Sequence, residues 1–179
     1  METGIKITNR NEEAVVAFLN LLLADEYILY TKTRTAHWNV EGSNYFELHV
    51  FLENNYNELD AMIDEIAEQI RSLGHFVLSS LKDFVSASQI SDNINDFNNS
   101  GQIFESLINN HESIIHIIQQ EIYPISNKFK DIDLTDFLKR LMTQHENMAR
   151  MLKSFLSNNN FNSAAYNYDR ASQLIDWQD

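Results

Sequence analysis

The sequence predicts an all-α protein, built as a four-helix bundle with a short extra helix in one long connection. Glycine and proline are scarce, with 4 and 1 among 179 residues, so the chain has few of the turn residues that strands and tight loops need. Hydrophobic residues make up 44%, which is enough for a core. They recur at spacings of three and four along four long stretches, the period of an amphipathic helix.

Caps and breakers set the predicted limits of the four long helices. Asn9 or Asn11 can cap the first helix, Gly74 ends the second, Pro124 kinks the third, and Asp133 caps the fourth. The predicted helices span residues 12–39, 44–73, 102–129 and 133–156.

The connection between the second and third helices is long, from residue 75 to about residue 100, and includes a predicted short helix over 79–88. A connection of this length lets successive helices run parallel instead of forming a hairpin. Residues 1–158 are expected to form one domain. The Asn-rich tail 159–179 is expected to be either disordered or anchored to a neighbour through Leu174 and Trp177.

The net charge of −13 argues against nucleic-acid binding by bulk charge, since phosphate contacts require clustered Lys and Arg. It suits a protein that attracts metal cations, or simply a very soluble one. Cysteine is absent, which excludes disulfides and thiolate metal sites and allows an intracellular location. No signal peptide and no apolar run long enough to cross a bilayer are expected, so the protein is predicted to be cytoplasmic.

Five potential metal ligands lie within 32 residues: His37, His49, Glu53, Asp64 and Glu68. His49 and Glu53 are i,i+4 neighbours on one helix face, and Asp64 and Glu68 are a second such pair. Imidazole with carboxylate suits iron, manganese or zinc. The same pattern also fits a solvated acidic face beside two buried histidines that bond to the backbone.

The spacing of these ligands limits how they can combine. His49 and Asp64 are 15 residues apart, or about 22 Å along a helix, whereas a metal–ligand bond is about 2 Å. Either the chain has two half-sites, or two copies of the second helix lie antiparallel across a two-fold axis. None of the six histidines has Glu three residues before it, so the Glu-x-x-His signature of a site inside one bundle is missing.

Residues 37–74 resemble the Dps family of the ferritin superfamily. The segment begins His-Trp-Asn-Val and continues with Gly42, Phe46, Leu48-His49 and Glu53. It then follows the family pattern through Tyr56, Leu59, Asp64, Ala67-Glu68, Ile70-Arg71 and Leu73-Gly74. The resemblance implies a ferritin-like four-helix bundle.

The same resemblance implies a ferroxidase site at a subunit interface. His37, His49 and Glu53 would come from one subunit, and Asp64 and Glu68 from its two-fold mate. Glu53 stands where many relatives have Asp. Trp38 would lie beside the site as an oxidisable group, although packing at a helix end explains it equally well.

As a member of this family the chain would form a hollow homo-oligomeric shell, a dodecamer. It would bind ferrous iron at an intersubunit di-iron or mono-iron site, oxidise it with hydrogen peroxide or oxygen, and store ferric mineral. A cell would thereby be protected from oxidative damage.

Two other functions remain open at this stage. Some relatives compact DNA through Lys-rich tails, but the first thirteen residues contain only Lys6 and Arg10 as cations, and the tail beyond Ser157 only Arg170. DNA binding is therefore expected to be weak or absent. A purely structural shell with a degenerate metal site is the other alternative, against which the intact ligand set counts.

Three acidic residues, Asp131, Asp133 and Asp136, lie near the start of the fourth predicted helix. By resemblance this region lines a three-fold pore, where carboxylates would concentrate cations. Alternatively Asp133 caps the helix, and the other two are solvated and favourable near its N-terminal dipole. His145 is predicted to be a satisfied core histidine, and the side chains of Tyr27, Tyr30 and Phe46 are predicted to lie in the core. His75, His111 and His116 have no predicted ligand role.

Overall fold

A computed structural model describes residues 9–41, 44–93, 100–129 and 131–158. These residues contain helices and connecting loops, with no strand among them, which confirms the predicted all-α class. The predicted tail 159–179, with Leu174 and Trp177, lies outside the described residues. The helices are α1 (Asn9–Asn39), α2 (Tyr45–Ser72), α3 (Leu81–Ala87), α4 (Ser100–Pro124), a π-helical turn (Ile125–Phe129) and α5 (Ile132–Asn158).

The four long helices form two pairs. Helix α1 packs along α2, α4 packs along α5, and the pairs meet through α1 with α4 and α2 with α5. The short helix α3 lies in the crossover, as predicted, and packs on α1. The result is the four-helix bundle with one long crossover that the sequence indicates.

The predicted apolar stripes form one core. Nearly every stripe residue is buried, and Ile63, Leu73 and Phe155 are partly buried against the same core. The buried residues of these stripes are Val15, Phe18, Leu22, Leu29, Leu48, Leu52, Leu59, Ile66, Ile70, Ile103, Leu107, Ile114, Ile118, Ile125, Leu134, Leu138, Leu141, Met148 and Leu152. Tyr27 and Tyr30 pack at the edge of the core, half-buried. Phe46 is 77% exposed, so its predicted core position is wrong for the single chain.

The helix ends differ from the prediction in two places. Asn9 and Asn11 both lie inside α1, so neither is its N-cap. Helix α5 is capped by Asp131, whose Oδ1 accepts a hydrogen bond from the Leu134 amide at 2.9 Å, and not by Asp133. Asp131 directly precedes Ile132, the first residue of α5, and so holds the N-cap position, whereas Asp133 is already inside the helix.

Two predicted breaks are observed. Gly74 follows α2 with a φ of 86°, the left-handed conformation that glycine adopts without a Cβ clash. At Pro124 the α-helix ends and the π-helical turn begins, because proline has no amide hydrogen for the helical ladder.

Helix α1 contains a longer apolar stretch than was predicted from the sequence. Within Glu12–Asn39, an 18-residue window has a mean hydropathy of 1.5, so by length and composition alone this helix could cross a membrane. The expectation that no such run exists is therefore wrong by that measure. Just over half of the window (56%) is buried inside the bundle, and α1 contacts α2, α3 and α4, so its apolar surface is that of a core helix.

Two buried charges on α1 hold the crossover in place. Asp25 Oδ1 accepts hydrogen bonds from Ser88 Oγ at 2.6 Å and from the amides of Gln89 and Ile90 at 2.7 and 3.2 Å. Lys32 Nζ donates to the Ser91 carbonyl at 3.0 Å. Burial raises the pKa of Asp25 and lowers that of Lys32. The crossover is thus fixed against α1, the helix whose last turn carries His37.

Candidate metal site

His37 and His49 come together at the corner between α1 and α2. His37 lies in the last turn of α1 and His49 in the first turns of α2, with a short loop between them. Their rings stack with centroids 3.7 Å apart and planes 25° apart. His37 is buried and His49 is half-buried, so the pair lies at the edge of the bundle.

Each imidazole of this pair is held by the backbone of the other. His37 Nδ1 lies 2.9 Å from the His49 carbonyl oxygen, and His49 Nδ1 lies 3.1 Å from the His37 carbonyl oxygen. A carbonyl oxygen only accepts, so Nδ1 carries the hydrogen in both rings. In the neutral rings Nε2 then has a free lone pair, and an N–H···O=C bond from the other nitrogen is the usual support of a metal-binding histidine.

Aromatic side chains surround the pair on the inside and the outside. The Tyr56 ring meets the His37 ring edge-on at 5.3 Å, and the Tyr45 ring stacks on His49 at 5.0 Å. Trp38 is 64% exposed, so the alternative that it packs into the core is wrong for the single chain. Trp38, Phe46 and the half-exposed Val50 are exposed apolar residues within three positions of a histidine of the pair, and we call them the apolar rim.

The carboxylates predicted to join the site are exposed. Glu53 lies one turn beyond His49 on α2, while Asp64 and Glu68 lie further along the same helix, about 22 Å away for an unbroken helix. All three side chains face solvent. Within the described part of the chain, no three His, Asp or Glu side chains come together as a metal site. One chain therefore brings His37 and His49 together and leaves Asp64 and Glu68 apart from them.

A second histidine cluster, which the sequence reading missed, lies in the centre of the bundle. Glu26 of α1 and His145 of α5 are fully buried, and His111 of α4 is nearly so. Glu26 Oε1 is 2.7 Å from His145 Nε2, and His145 Nδ1 is 2.9 Å from His111 Nδ1. We call these three residues the buried network.

The buried network confirms His145 as a satisfied core histidine and gives it partners. Burial lowers the pKa of His111 well below its ordinary value, and the nearby His145 lowers it further. His111 is therefore neutral. The sequence carried a signal for the network, because Glu26 interrupts an apolar stretch of α1 and because His111 and His145 both occupy positions in apolar stripes.

The three aspartates at the start of α5 differ in their contacts. Asp131 caps the helix through the Leu134 amide. Asp136 is exposed and forms an ion pair with Lys139 at 3.1 Å. Asp133 is exposed in the first turn. A pore function for the three remains a prediction.

Comparison with known proteins extends these observations. A profile of the ferritin-like domain matches residues 16–161. A low temperature-induced protein of Nostoc is 33% identical over 153 residues, 86% of each chain. "DNA protection during starvation protein 2" of Bacillus anthracis is 30% identical over 143 residues, covering 80% of this chain and 97% of the relative.

Solved structures agree in fold. The Dps of Thermosynechococcus elongatus superposes with a TM-score of 0.77 at 28% identity, covering 83% of this chain and 93% of that one. The Dps of Vibrio cholerae, described as a member of a broad superfamily of ferritin-like diiron-carboxylate proteins, gives a TM-score of 0.76 at 25% identity, covering 87% and 98%. The chain thus shares sequence with the starvation-protection proteins over most of its length and shares their fold, and it belongs to the Dps family of ferritin-like proteins.

Proposed function

We propose that this protein is a ferroxidase whose site forms across a two-fold interface between subunits. His37, His49 and Glu53 of one subunit would bind ferrous iron together with Asp64 and Glu68 of its mate. The observation that carries the proposal is the His37–His49 pair, in which both Nδ1 hydrogens are engaged by backbone carbonyls. Both Nε2 atoms are then available to a metal ion.

The need for a second subunit follows from distance and exposure. Asp64 and Glu68 lie about 22 Å along α2 from His49, and both are exposed. An antiparallel α2 from another subunit would bring its carboxylates to the histidines. The apolar rim of Trp38, Phe46 and Val50 would be covered by the same contact, since apolar area of this kind is typical of an interface.

The proposed chemistry follows from the ligand types. Neutral imidazole binds ferrous iron, and carboxylates stabilise the ferric product. Few protein ligands leave coordination positions free for the oxidant, which we propose to be hydrogen peroxide, with oxygen as the alternative. The site would hold one or two iron ions, and the ferric product would be stored as mineral inside a dodecameric shell. We place this activity in the cytoplasm, as a defence against iron-driven oxidation.

Mixed shells test the intersubunit arrangement. Subunits with His37→Ala and His49→Ala are co-assembled with subunits carrying Asp64→Asn and Glu68→Gln. At each mixed interface one of the two sites regains all wild-type ligands. We expect each variant alone to be inactive and the mixed shell to oxidise iron after anaerobic ferrous loading and addition of peroxide.

The readouts are ferric absorbance and size exclusion on the same samples. Shells with Glu58→Gln and Asp60→Asn are the matched control, because these exposed acids share α2 and are not proposed ligands. They should keep wild-type activity. Confirmed co-assembly without restored activity would overturn the intersubunit site, and active single variants would overturn the ligand assignment.

DNA binding is the second function that the relatives' names raise, and the charge of this chain opposes it. The chain carries a net charge of −13. A shell of many such chains would have a strongly negative surface, which repels the phosphates of DNA. We expect no shift of plasmid DNA in a gel at low salt without divalent metal. A tight complex that salt dissociates would contradict this expectation.

A further inference from the structure

We propose that Tyr56, Tyr30 and Tyr27 form a path of one-electron donors leading away from the His37–His49 pair. The inference rests on the proposed ferroxidase function. Reduction of hydrogen peroxide to water takes two electrons, and a single bound ferrous ion supplies only one. The tyrosines would supply the second electron. We call these three residues the tyrosine path.

The geometry of the path is a series of ring contacts that begins at the metal site. The Tyr56 ring meets the His37 ring at 5.3 Å and the Tyr30 ring at 6.2 Å between centroids. Tyr30 meets Tyr27 at 6.1 Å. At these distances aromatic edges and faces are close to van der Waals contact, so electron transfer between neighbours crosses almost no empty space.

The path ends at Phe84, whose ring stacks on Tyr27 at 4.5 Å. Phenylalanine has no hydroxyl and is far harder to oxidise than tyrosine. An oxidising equivalent that reaches Tyr27 therefore stops there. All three tyrosines are half-buried, which shields their radicals from most solutes and still lets the phenolic proton reach water.

Arg34 adjusts the electrostatics of the path. Its Nη1 donates a hydrogen bond to the Tyr30 hydroxyl oxygen. Its Cζ lies 5.8 Å from the Tyr30 centroid and 5.4 Å from the Tyr56 centroid. A phenol that has lost an electron is a strong acid and gives up its proton at once, so the oxidised tyrosine is a neutral phenoxyl radical whose oxygen can still accept the Arg34 hydrogen bond.

The same guanidinium distinguishes tyrosine from tryptophan. It lies 5.4 Å from the ring centroids of both Trp38 and Tyr56, and a cation over an aromatic face opposes formation of a second positive charge there. Only the Tyr30 hydroxyl also receives a hydrogen bond from this guanidinium, so an oxidising equivalent formed on Trp38 is expected to move to the tyrosine path.

The electron balance is complete with hydrogen peroxide as oxidant. One ferrous ion and one tyrosine each give one electron: Fe2+ + TyrOH + H2O2 + H+ gives Fe3+ + TyrO• + 2 H2O. Without the tyrosine, a single ferrous ion would release hydroxyl radical. A later ferrous ion resets the path: Fe2+ + TyrO• + H+ gives Fe3+ + TyrOH.

The first experiment uses the assembled shell loaded anaerobically with less than one ferrous ion per site, mixed with peroxide and frozen within milliseconds. We expect a tyrosyl radical in the electron paramagnetic resonance spectrum, narrowed when the tyrosine rings are deuterated. Tyr56→Phe should remove most of the signal, and Tyr30→Phe should shorten its lifetime. Tyr123→Phe is the matched control, because Tyr123 is 72% exposed on α4, and it should change nothing.

The second experiment needs no iron. Azide radicals from pulse radiolysis oxidise tryptophan in the metal-free shell, with Trp177→Phe as background so that Trp38 is the only tryptophan. We expect the Trp38 radical to decay as a tyrosyl radical appears, and Tyr30→Phe/Tyr56→Phe to remove that transfer.

The outcomes separate the path from the ferroxidase function. No tyrosyl radical in either experiment overturns the path, and so does a signal that survives Tyr56→Phe but is lost in Tyr45→Phe, since Tyr45 stacks on His49 outside the path. Transfer from Trp38 without any iron oxidation would support the path as an oxidation route and overturn the proposed function alone.

Discussion

The His37–His49 pair and the buried network use similar side chains in opposite ways. In the buried network, Glu26, His111 and His145 bond to one another from three helices, with the carboxylate directly on a histidine. In the His37–His49 pair the partners are backbone carbonyls, and the carboxylates are exposed elsewhere. Histidine bonded to other side chains inside one chain supports the fold, even though Glu26 Oε2 is left without a hydrogen-bond partner. Histidine whose Nδ1 is bonded to the backbone at the edge of the bundle keeps Nε2 for a ligand.

The largest expected effect follows from breaking the buried network. Glu26→Ala leaves the buried His145 without its carboxylate partner, and the loss of a buried hydrogen bond to a charged group typically costs about 1.5–3 kcal/mol, to which the cavity left by the side chain adds. We expect a loss of that size in the free energy of unfolding, from guanidinium denaturation at fixed protein concentration. His37→Ala/His49→Ala should cost less, about 1 kcal/mol for each lost backbone hydrogen bond, while abolishing iron oxidation.

Glu13→Gln is the control for this comparison, because Glu13 is exposed on the same helix and should leave stability unchanged. Equal losses of stability in the two histidine regions would contradict the distinction between them. Replacing Glu26, His111 and His145 together by Leu sharpens the comparison. We expect the free energy of unfolding to change little, because replacing a whole buried polar network by apolar residues often leaves stability unchanged.

The pH dependence of stability is the next effect in size. His111 has a folded-state pKa well below its ordinary value of 6.5, so below pH 6.5 the unfolded chain binds a proton that the folded chain does not. The free energy of unfolding should therefore fall as the pH falls below 6.5, by up to about 1.4 kcal/mol per pH unit. Denaturation at a series of pH values measures this slope.

Two histidine variants test the assignment of that slope. His111→Gln should flatten the profile just below pH 6.5, whereas His116→Gln should leave it unchanged because His116 is exposed. Asp25 acts with the opposite sign in more acid solution: its raised pKa means that stability is lost as the pH rises from 3.8 through that pKa. A flat wild-type profile below pH 6.5 would contradict the buried neutral state of His111.

The smallest effect concerns the acidic start of α5, where a capping residue stands beside two acids with no capping role. Asp131→Ala should cost about 1 kcal/mol of stability, and Asp131→Asn should not, because Asn is an equally good cap. Asp133→Asn/Asp136→Asn should leave stability intact and slow the initial rate of iron uptake at limiting ferrous iron. Unchanged uptake would mean that iron enters elsewhere.

Much of the fold could be predicted because helix period and helix breakers are local properties. The α2 stripe from Leu48 to Ile70, the stop at Gly74 and the short helix in the crossover all follow from neighbours within a few turns. Helix ends were predicted less well. Asp131 and Asp133 are both good capping residues, and only the path of the preceding loop decides which one faces the Leu134 amide.

The candidate metal site also has features that the sequence predicts and features that depend on tertiary packing. His49 and Glu53 share a helix face by spacing alone, and a loop of a few residues brings His37 close to His49. The reciprocal hydrogen bonds to the backbone are not visible in the sequence, because they depend on the angle at which α1 meets α2. The exposure of Trp38 and Phe46 could not be predicted from the sequence either, because an apolar residue at a helix end is equally compatible with a core and with an interface.

By itself, the sequence determined the helical class, the core stripes and the two i,i+4 ligand pairs, because each depends on residues a few positions apart. Only the tertiary structure decided which polar residues close on each other. Glu26 and His145 are 119 positions apart, and their bond exists because α1 and α5 carry a carboxylate and an imidazole to the same depth in the core. An unpaired polar group there would be costly, so the packing of the bundle and the pairing of these residues were fixed together.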